Sequence, residues 1–497
     1  MNFEEYRKHD AVALAELIKK KEVTASELLD IAIKRTEEVN PKINAVVTKL
    51  YEEGKQQLKN IDTNAPFAGV PFLLKDVDVQ LKGTRFTEGS NILKDYISTQ
   101  TSEVVLRIQK AGAVIFGKSN TSEFGLTPFV EGKLLGTCRN PWNTDHTTGG
   151  SSGGAGASVA AGIVPMAWAS DGGGSIRIPA SCNGLFGIKP SRGRIPNGPH
   201  WGEMWSGAIS SGIISRSVRD AATYIDAVQG TMKGDPYIIA PPDKPYSEEV
   251  KQAPRKLKIG YSYQMPKGLN APVDEENIKA IEKTVALLRS AGHTVDEVEL
   301  PFTNKVNSEL LYTLVLGEAS ATFELIGEQR GRKPQRDELE PNTWLIYQLG
   351  KSFSANYFAL ARQKWNTLNR EMAAFHTKYD LLLTPTVGRK PFKIGSMNNS
   401  AVEDAALKTL NVLGLSFMVR YTGMIEKVAN KTFSWMPYPA LANITGQPSM
   451  SVPLHWSSDN LPVGVMFTAP MNDEATLFQL AAQLEKVQPW FNKVAIV

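Results

Sequence analysis

The chain has 497 residues, room for about three domains of ~150 residues or for one unusually large α/β unit. With 42% hydrophobic, 21% charged and 8% aromatic residues it has the make-up of a folded globular protein, which excludes the disordered and collagen-like classes. Its 55 Lys and Arg against 51 Asp and Glu leave a net charge of +4, too weak a bias to argue for a nucleic-acid partner.

The first segment, MNFEEYRKHDAVALAELIKKKE, is charged throughout and has neither the apolar core nor the cleavage site of a signal peptide. Two helices open the chain. The second starts at Thr24-Ala25-Ser26-Glu27, a capping box, places Leu28, Leu29, Ala32 and Ile33 on one face, and is expected to end near Asn40-Pro41. Short apolar runs follow at 70–74, 113–116, 163–169 and 185–188, separated by glycines and helical stretches. This alternation predicts an α/β fold, an α/β/α sandwich around a large mixed, mostly parallel and buried central sheet. The rhythm resumes with a strand at 257–261, an amphipathic helix at 275–290 and a strand at 293–300, after a Pro-, Lys- and Asp-rich surface excursion at 231–256. Residues 305–380 read as mostly helical. With no internal repeat and no long linker, one domain over 1–497 is expected, elaborated by helices at about 305–440. The longest weakly polar run, 153–169, is mostly Gly, Ala and Ser around Pro165 and falls short of the ~20 apolar residues of a membrane span. Cys138 and Cys182 are too few for a disulfide scaffold and lack paired zinc-ligand spacing, so a cytoplasmic, reducing setting is expected.

The most informative stretch is Thr148–Ala180, TGGSSGGAGASVAAGIVPMAWASDGGGSIRIPA, with two clusters of glycine and hydroxyl residues around a small-residue helix. Gly172-Gly173-Gly174 before Ser175 would let successive N–H groups point at one oxygen, as an oxyanion hole requires. Small residues would serve tight turns and a close helix crossing equally well. Two other patterns mislead. The run 112–119 matches a phosphate loop, yet Val114, Ile115 and Phe116 read as a strand lying after the first glycine instead of before it. The serines at 151 and 152 each fit a nucleophile elbow, which needs a later catalytic histidine, while His200, His293, His376 and His455 read as surface or packing residues. A hydroxyl nucleophile here needs another base, and a lysine kept neutral by burial can serve. Lys75, ending the apolar run Val70–Leu74, either does so or snorkels to solvent.

These residues resemble the amidase signature family, enzymes that cleave carbon–nitrogen bonds with a Ser-cisSer-Lys triad. The resemblance rests on Gly69–Asp76, Gly117-Lys118-Ser119-Asn120, Arg139–Asn143, Gly149–Ala180, Gly187–Pro190 and Asn443–Pro448, in family order along almost the whole chain. It implies Ser175 as nucleophile, Ser151 as the cis-peptide serine, Lys75 as base, and the N–H groups of Gly172, Gly173, Gly174 and Ser175 as oxyanion hole. Ser152, Asp171 and Arg177 follow as supporting residues. It further implies a small-molecule amide substrate, no metal, no organic cofactor, no nucleic acid and no membrane, and is compatible with a homodimer. The family commonly carries Thr or Ile where Gly172 stands, which predicts a looser nucleophile loop. Trp168, Trp201, Trp205, Trp344, Trp365 and Trp435 are core residues by default, with the acyl pocket as the alternative for some. Within the family the sequence is most similar to bacterial stand-alone amidases, including 6-aminohexanoate cyclic-dimer hydrolases. The glutaminase subunit of tRNA-dependent amidotransferases is the alternative; it usually has Gln where Ile178 stands.

Overall fold

The computed structural model describes residues 1–398 and 424–497; the part of the expected elaboration at 399–423 lies outside the described residues. Eleven strands make one sheet: β1 (Val46–Lys49), β2 (Pro71–Lys75), β3 (Val114–Ser119), β4 (Met166–Asp171), β5 (Phe186–Lys189), β6 (Ser210–Ser215), β7 (Lys258–Tyr261), β8 (Thr294–Glu297), β9 (Leu381–Pro385), β10 (Ser449–Trp456) and β11 (Pro462–Thr468). Their order across the sheet is β1-β3-β2-β4-β6-β5-β10-β11-β9-β7-β8.

Period-two alternation divides each central strand between two apolar layers. In β2, Phe72 and Leu74 enter one cluster and Leu73 the other; in β4, Met166 and Trp168 oppose Ala167 and Ala169. Helices Ala11–Lys19, Glu103–Lys110, Val218–Val228 and Glu474–Val487 cover the first face, while Ala25–Ile43 and Gly153–Ala160 cover the second. The α/β sandwich is therefore the observed architecture.

Its sheet is mixed, and less parallel than the βαβ rhythm implies. Parallel pairing is confined to β2 with β3 and β4, and to β7 with β8 and β9. The strands between these two groups pair antiparallel, because β10–β11 is a hairpin and β5 reaches β6 without a crossover helix. The second expected helix also differs at its end. It continues past Pro41 to Ile43, where Asn44 turns left-handed and its N–H returns to Asn40 O at 2.8 Å. One proline so near a helix end forfeits a single backbone bond, which the side chain of Asn40, accepting from Ala45 and Val46, helps to offset.

Residues 305–380 are helical as expected, at Val306–Arg330, Pro341–Gly350 and Ala355–His376. Among the described residues Val306–Arg330 is the one helix long and apolar enough to cross a membrane, and 56% of its most apolar stretch is buried inside the protein. It carries Leu310, Leu311 and Leu314 into an apolar layer, as a core helix does.

Helix Gly153–Ala160 explains half of the glycine density around it. A Cβ on Gly154 would lie 2.2 Å from Asn120 N and 2.6 Å from Ala45 O, and one on Gly153 would lie 2.3 Å from Thr148 Oγ1. The backbone of this helix presses directly on neighbouring backbone. Gly154→Ala is expected to lower the melting temperature by several degrees, since overpacking costs about 1–3 kcal/mol; an unchanged melt would show that the 118–121 segment gives way freely.

Candidate active site

Parallel pairing of β2 and β4, registered at Leu73 opposite Ala167, brings both carboxyl ends to one edge of the sheet. That edge is where ligands of open α/β sheets are held. Lys75 therefore emerges beside Ser170, and its Nζ donates to Ser151 Oγ at 2.7 Å and to Ser170 Oγ at 3.0 Å. Ser151 follows a cis Gly150–Ser151 peptide, threaded so closely past Phe129 that a Cβ on Gly150 would lie 2.5 Å from Phe129 N. Lys75 and Ser151 are each 1% exposed. Burial lowers the lysine to about 8, against the opposing charges of Asp78, Asp171 and Glu88, so the neutral form is a minor species near physiological pH and the main one only above about 8.

After β4 the chain turns through Gly172–Gly174 to Ser175 and helix Arg177–Asn183. Ser152 joins the two halves, its N–H donating to Ser175 O at 3.3 Å and its hydroxyl to Ser170 O at 3.2 Å. Among the described residues the Ser175 hydroxyl takes no hydrogen-bond partner. Lys75, Ser151 and Ser152 are thus brought together with the Ser175 backbone, while Ser175 Oγ stands unbonded to Ser151.

Asp171 shapes the loop. Its carboxylate accepts from Gly174 N at 2.6 Å and Ile176 N at 3.1 Å, and from Arg177 Nε and Nη2, both at 2.9 Å. Burial opposes its charge, yet Arg177 and Asn443 overcome this and hold the carboxyl well below the usual carboxylate range. Of the four N–H groups expected to face one oxygen, the structure leaves three free among the described residues. Gly174 is committed to Asp171, whereas among the described residues the N–H groups of Gly172, Gly173 and Ser175 donate to nothing within the protein. Gly174 is glycine for its backbone, at φ +129° with Ile178 and Pro439 each 2.7 Å from an added Cβ. The loop is not looser at Gly172 either: the space of a side chain is filled by Ile209 and by the Trp205 ring, 2.9 and 3.1 Å from where a Cβ would stand.

Asp76, next to the candidate base, takes another role. It accepts from Thr87 Oγ1 at 2.6 Å and faces Lys118 Nζ at 3.7 Å, so the phosphate-loop lysine belongs to a buried ion pair on β3. Histidines also pair away from the site, His293 with Gln483, His376 with Gln447 and His455 with Glu276. Among the tryptophans, Trp168, Trp365 and Trp435 are core residues, Trp344 packs edge-on against Tyr347, and Trp201 and Trp205 line a cavity with Asp78 and Glu88 beside the site. Ser170, Asp78 and Glu88 are the residues that sequence reasoning missed. Asp78 and Glu88 both have left-handed backbones, and burial raises both carboxyls, with the neighbouring lysine opposing. The β2–β4 pairing brings Ser170 to Lys75, a contact no local window contains, whereas Asp78 and Glu88 lie on the segment that follows β2 and turn back on the lysine.

A family model described as Amidase matches residues 27–478. Over 97% of this chain and 95% of the relative, the sequence is 34% identical to the 6-aminohexanoate-cyclic-dimer hydrolase of Pseudomonas sp. (strain NK87). A solved structure of 6-aminohexanoate cyclic dimer hydrolase complexed with substrate is similar with TM-score 0.88 and 32% identity over 98% of each chain. A bacterial aryl acylamidase of the amidase signature family is similar with TM-score 0.84 and 25% identity, again over 98% of each chain.

Two outcomes are expected from this geometry. If neutral Lys75 is the working form, kcat/KM for an uncharged amide falls about tenfold per pH unit below about 8 and is level above it; a pH profile flat from 6 to 9, by contrast, would remove Lys75 as base. Arg177→Met leaves Asp171 buried without its partner and is expected to cost about 3–5 kcal/mol, read by thermal denaturation, with Asp171→Asn added to it restoring part of the loss.

Proposed function

This chain belongs to the amidase signature family and is an amide hydrolase, and on that premise we propose that it acts through a covalent acyl-enzyme on Ser175. The observation that carries the proposal is the 2.7 Å hydrogen bond from buried Lys75 Nζ to Ser151 Oγ, next to a loop whose Gly172, Gly173 and Ser175 N–H groups have no acceptor among the described residues. In the neutral form the contact reverses, Ser151 Oγ–H donating to the amine lone pair; the amine takes that proton while Ser151 takes that of Ser175, and Ser175 Oγ attacks the amide carbonyl. The carbonyl oxygen gains negative charge and is held by these three N–H groups. Lys75 then returns the proton through Ser151 to the departing nitrogen, which leaves as the amine. Water retraces the route, adding to the acyl carbon as its proton passes to Lys75, and Ser175 is released on reprotonation. The steps as written use no metal and no organic cofactor.

Ser170 orients the base by receiving its second N–H, and Ser152 fixes Ser175 through the backbone. Asp171 and Arg177 hold the loop without touching the reacting atoms.

For the substrate, the similarity to 6-aminohexanoate cyclic-dimer hydrolases supports linear or cyclic amides of 6-aminohexanoate as the favoured class. Ile178 packs on Gly149 and Gly174 at the position where the glutaminase subunits carry Gln, which weighs against glutamine. Free, buried Cys138 and Cys182 fit a cytoplasmic setting, and burial pushes the Cys138 thiol up to about 12, where it is inert. The protein acts alone or as a homodimer.

Amine release is expected from linear and cyclic 6-aminohexanoate oligomers by the wild type, and to be lost by a factor of at least ~10³ in Ser175→Ala. Lys75→Ala is expected to abolish amide cleavage while retaining some activity on activated esters, whose leaving groups need no proton. Turnover of glutamine alone would reassign the chain to the amidotransferase subunits, and an active Ser175→Ala would end the acyl-enzyme reading.

A further inference from the structure

Trp205 sits where the family's nucleophile loop has a side chain and this loop has none. Its ring atoms Cε3 and Cζ3 lie 3.1 Å from the position of a Gly172 Cβ, and Ile209 Cγ1 lies 2.9 Å from it. On the other flank of the loop, Leu311 and Met436 stand 3.4 and 3.8 Å from the Cβ position of Gly173. The two glycines whose N–H groups face the developing oxyanion are therefore bounded by apolar walls, Trp205 and Ile209 on one side, Leu311 and Met436 on the other.

The Trp205 wall is held by a strained backbone. Trp205 and Ser206 have φ of +47° and +49°, a region that non-glycine residues keep only where their surroundings impose it. Here three distant segments do so. Glu318 accepts from the Ser206 hydroxyl, Arg362 donates to Ser206 O at 3.1 Å, and Arg192 donates to Gly207 O at 2.6 Å. Asn443 joins this turn to the nucleophile loop, donating from one amide to Ala208 O at 3.1 Å and Asp171 O at 2.8 Å. A turn maintained against such strain, with its indole against an oxyanion donor and lining the cavity, has a positional task.

We propose that Trp205 is the specificity-determining residue of the acyl pocket, restricting Ser175 to acyl groups unbranched at the carbon next to the carbonyl. The proposal rests on the acyl-enzyme reading above. A carbonyl oxygen seated on Gly172, Gly173 and Ser175 directs its acyl chain between the two walls. The indole fills the space beside the Gly172 backbone, so an unbranched methylene chain runs past its edge while a branch or an aryl ring at that carbon meets Trp205. The expected substrate class is accordingly amides of straight-chain aliphatic acids.

The test compares acylation of Ser175 by p-nitrophenyl hexanoate and p-nitrophenyl 2-ethylbutanoate, isomers that differ only in branching, in wild type, Trp205→Ala and Trp205→Phe. Nitrophenol release gives the rates, and intact-protein mass gives the adduct. The branched-to-linear rate ratio is expected to rise at least about tenfold in Trp205→Ala, the scale on which apolar pockets discriminate by shape, with Trp205→Phe between. An unchanged ratio, or equal loss on both esters, overturns the proposal and leaves Trp205 a packing residue. If Trp205→Ala fails to fold, Ile209→Ala reads the same wall and is held to the same ratio. Absence of any adduct in the wild type defeats the acyl-enzyme reading itself, whereas adducts with an invariant ratio defeat only the role of Trp205.

Discussion

The buried pairing of Asp171 with Arg177 is the interaction on which the site depends. Both side chains are fully buried, and removing two charges from water costs several kcal/mol each unless hydrogen bonds replace the lost solvent. The replacement is nearly complete. Asp171 collects N–H groups from Gly174, Ile176, Arg177 and Asn443, while Arg177 directs its remaining donors to Pro439 O and Asn443 Oδ1 at 2.8 and 2.7 Å. The pair thus selects which loop amides are consumed. By taking Gly174 and Ile176 it bends the chain so that Gly172, Gly173 and Ser175 keep theirs. Its contribution to the site is geometric preorganisation, more than net stability.

Against this background the glycine- and serine-rich segment serves two separate physical needs. Gly153, Gly154 and Gly156 are small because the helix they start is pressed against Asn120, Thr148 and Asn183. Gly172 is small because its side-chain space belongs to Trp205 and Ile209, and Gly174 because of its positive φ. Of the explanations that composition left open, close packing accounts for Gly153, Gly154, Gly156 and Gly172, and a left-handed backbone accounts for Gly174.

Much of this was legible in the chain. The Thr24–Glu27 capping box, the alternation of strand and helix, and the candidacy of Lys75, Ser151 and Ser175 follow from local patterns or from motif order, and the structure brings Lys75 and Ser151 into contact. What was not legible depends on pairing between distant segments. Whether Lys75 snorkels or is buried is decided by β4 lying beside β2, which no local window contains. Strand β6, Ser-Ser-Gly-Ile-Ile-Ser, reads as polar yet is buried throughout, flanked by β4 and β5, so hydropathy hides it. The commitment of Gly174 to Asp171 was equally hidden, because identical glycines in sequence differ only in where their N–H groups point.

The reach of Asn443 has a consequence for how the molecule comes into being. Arg177 and Asn443 are 266 positions apart, yet their bond completes the clamp around the nucleophile loop. A growing chain carries Lys75, Ser151 and Ser175 long before it carries Asn443. During that interval the Asp171–Arg177 pair lacks the amide that closes its frame, and the loop after β4 cannot yet take its final hydrogen bonding. The loop is thus joint work of two distant stretches of the chain, finished by a residue that translation supplies near its end.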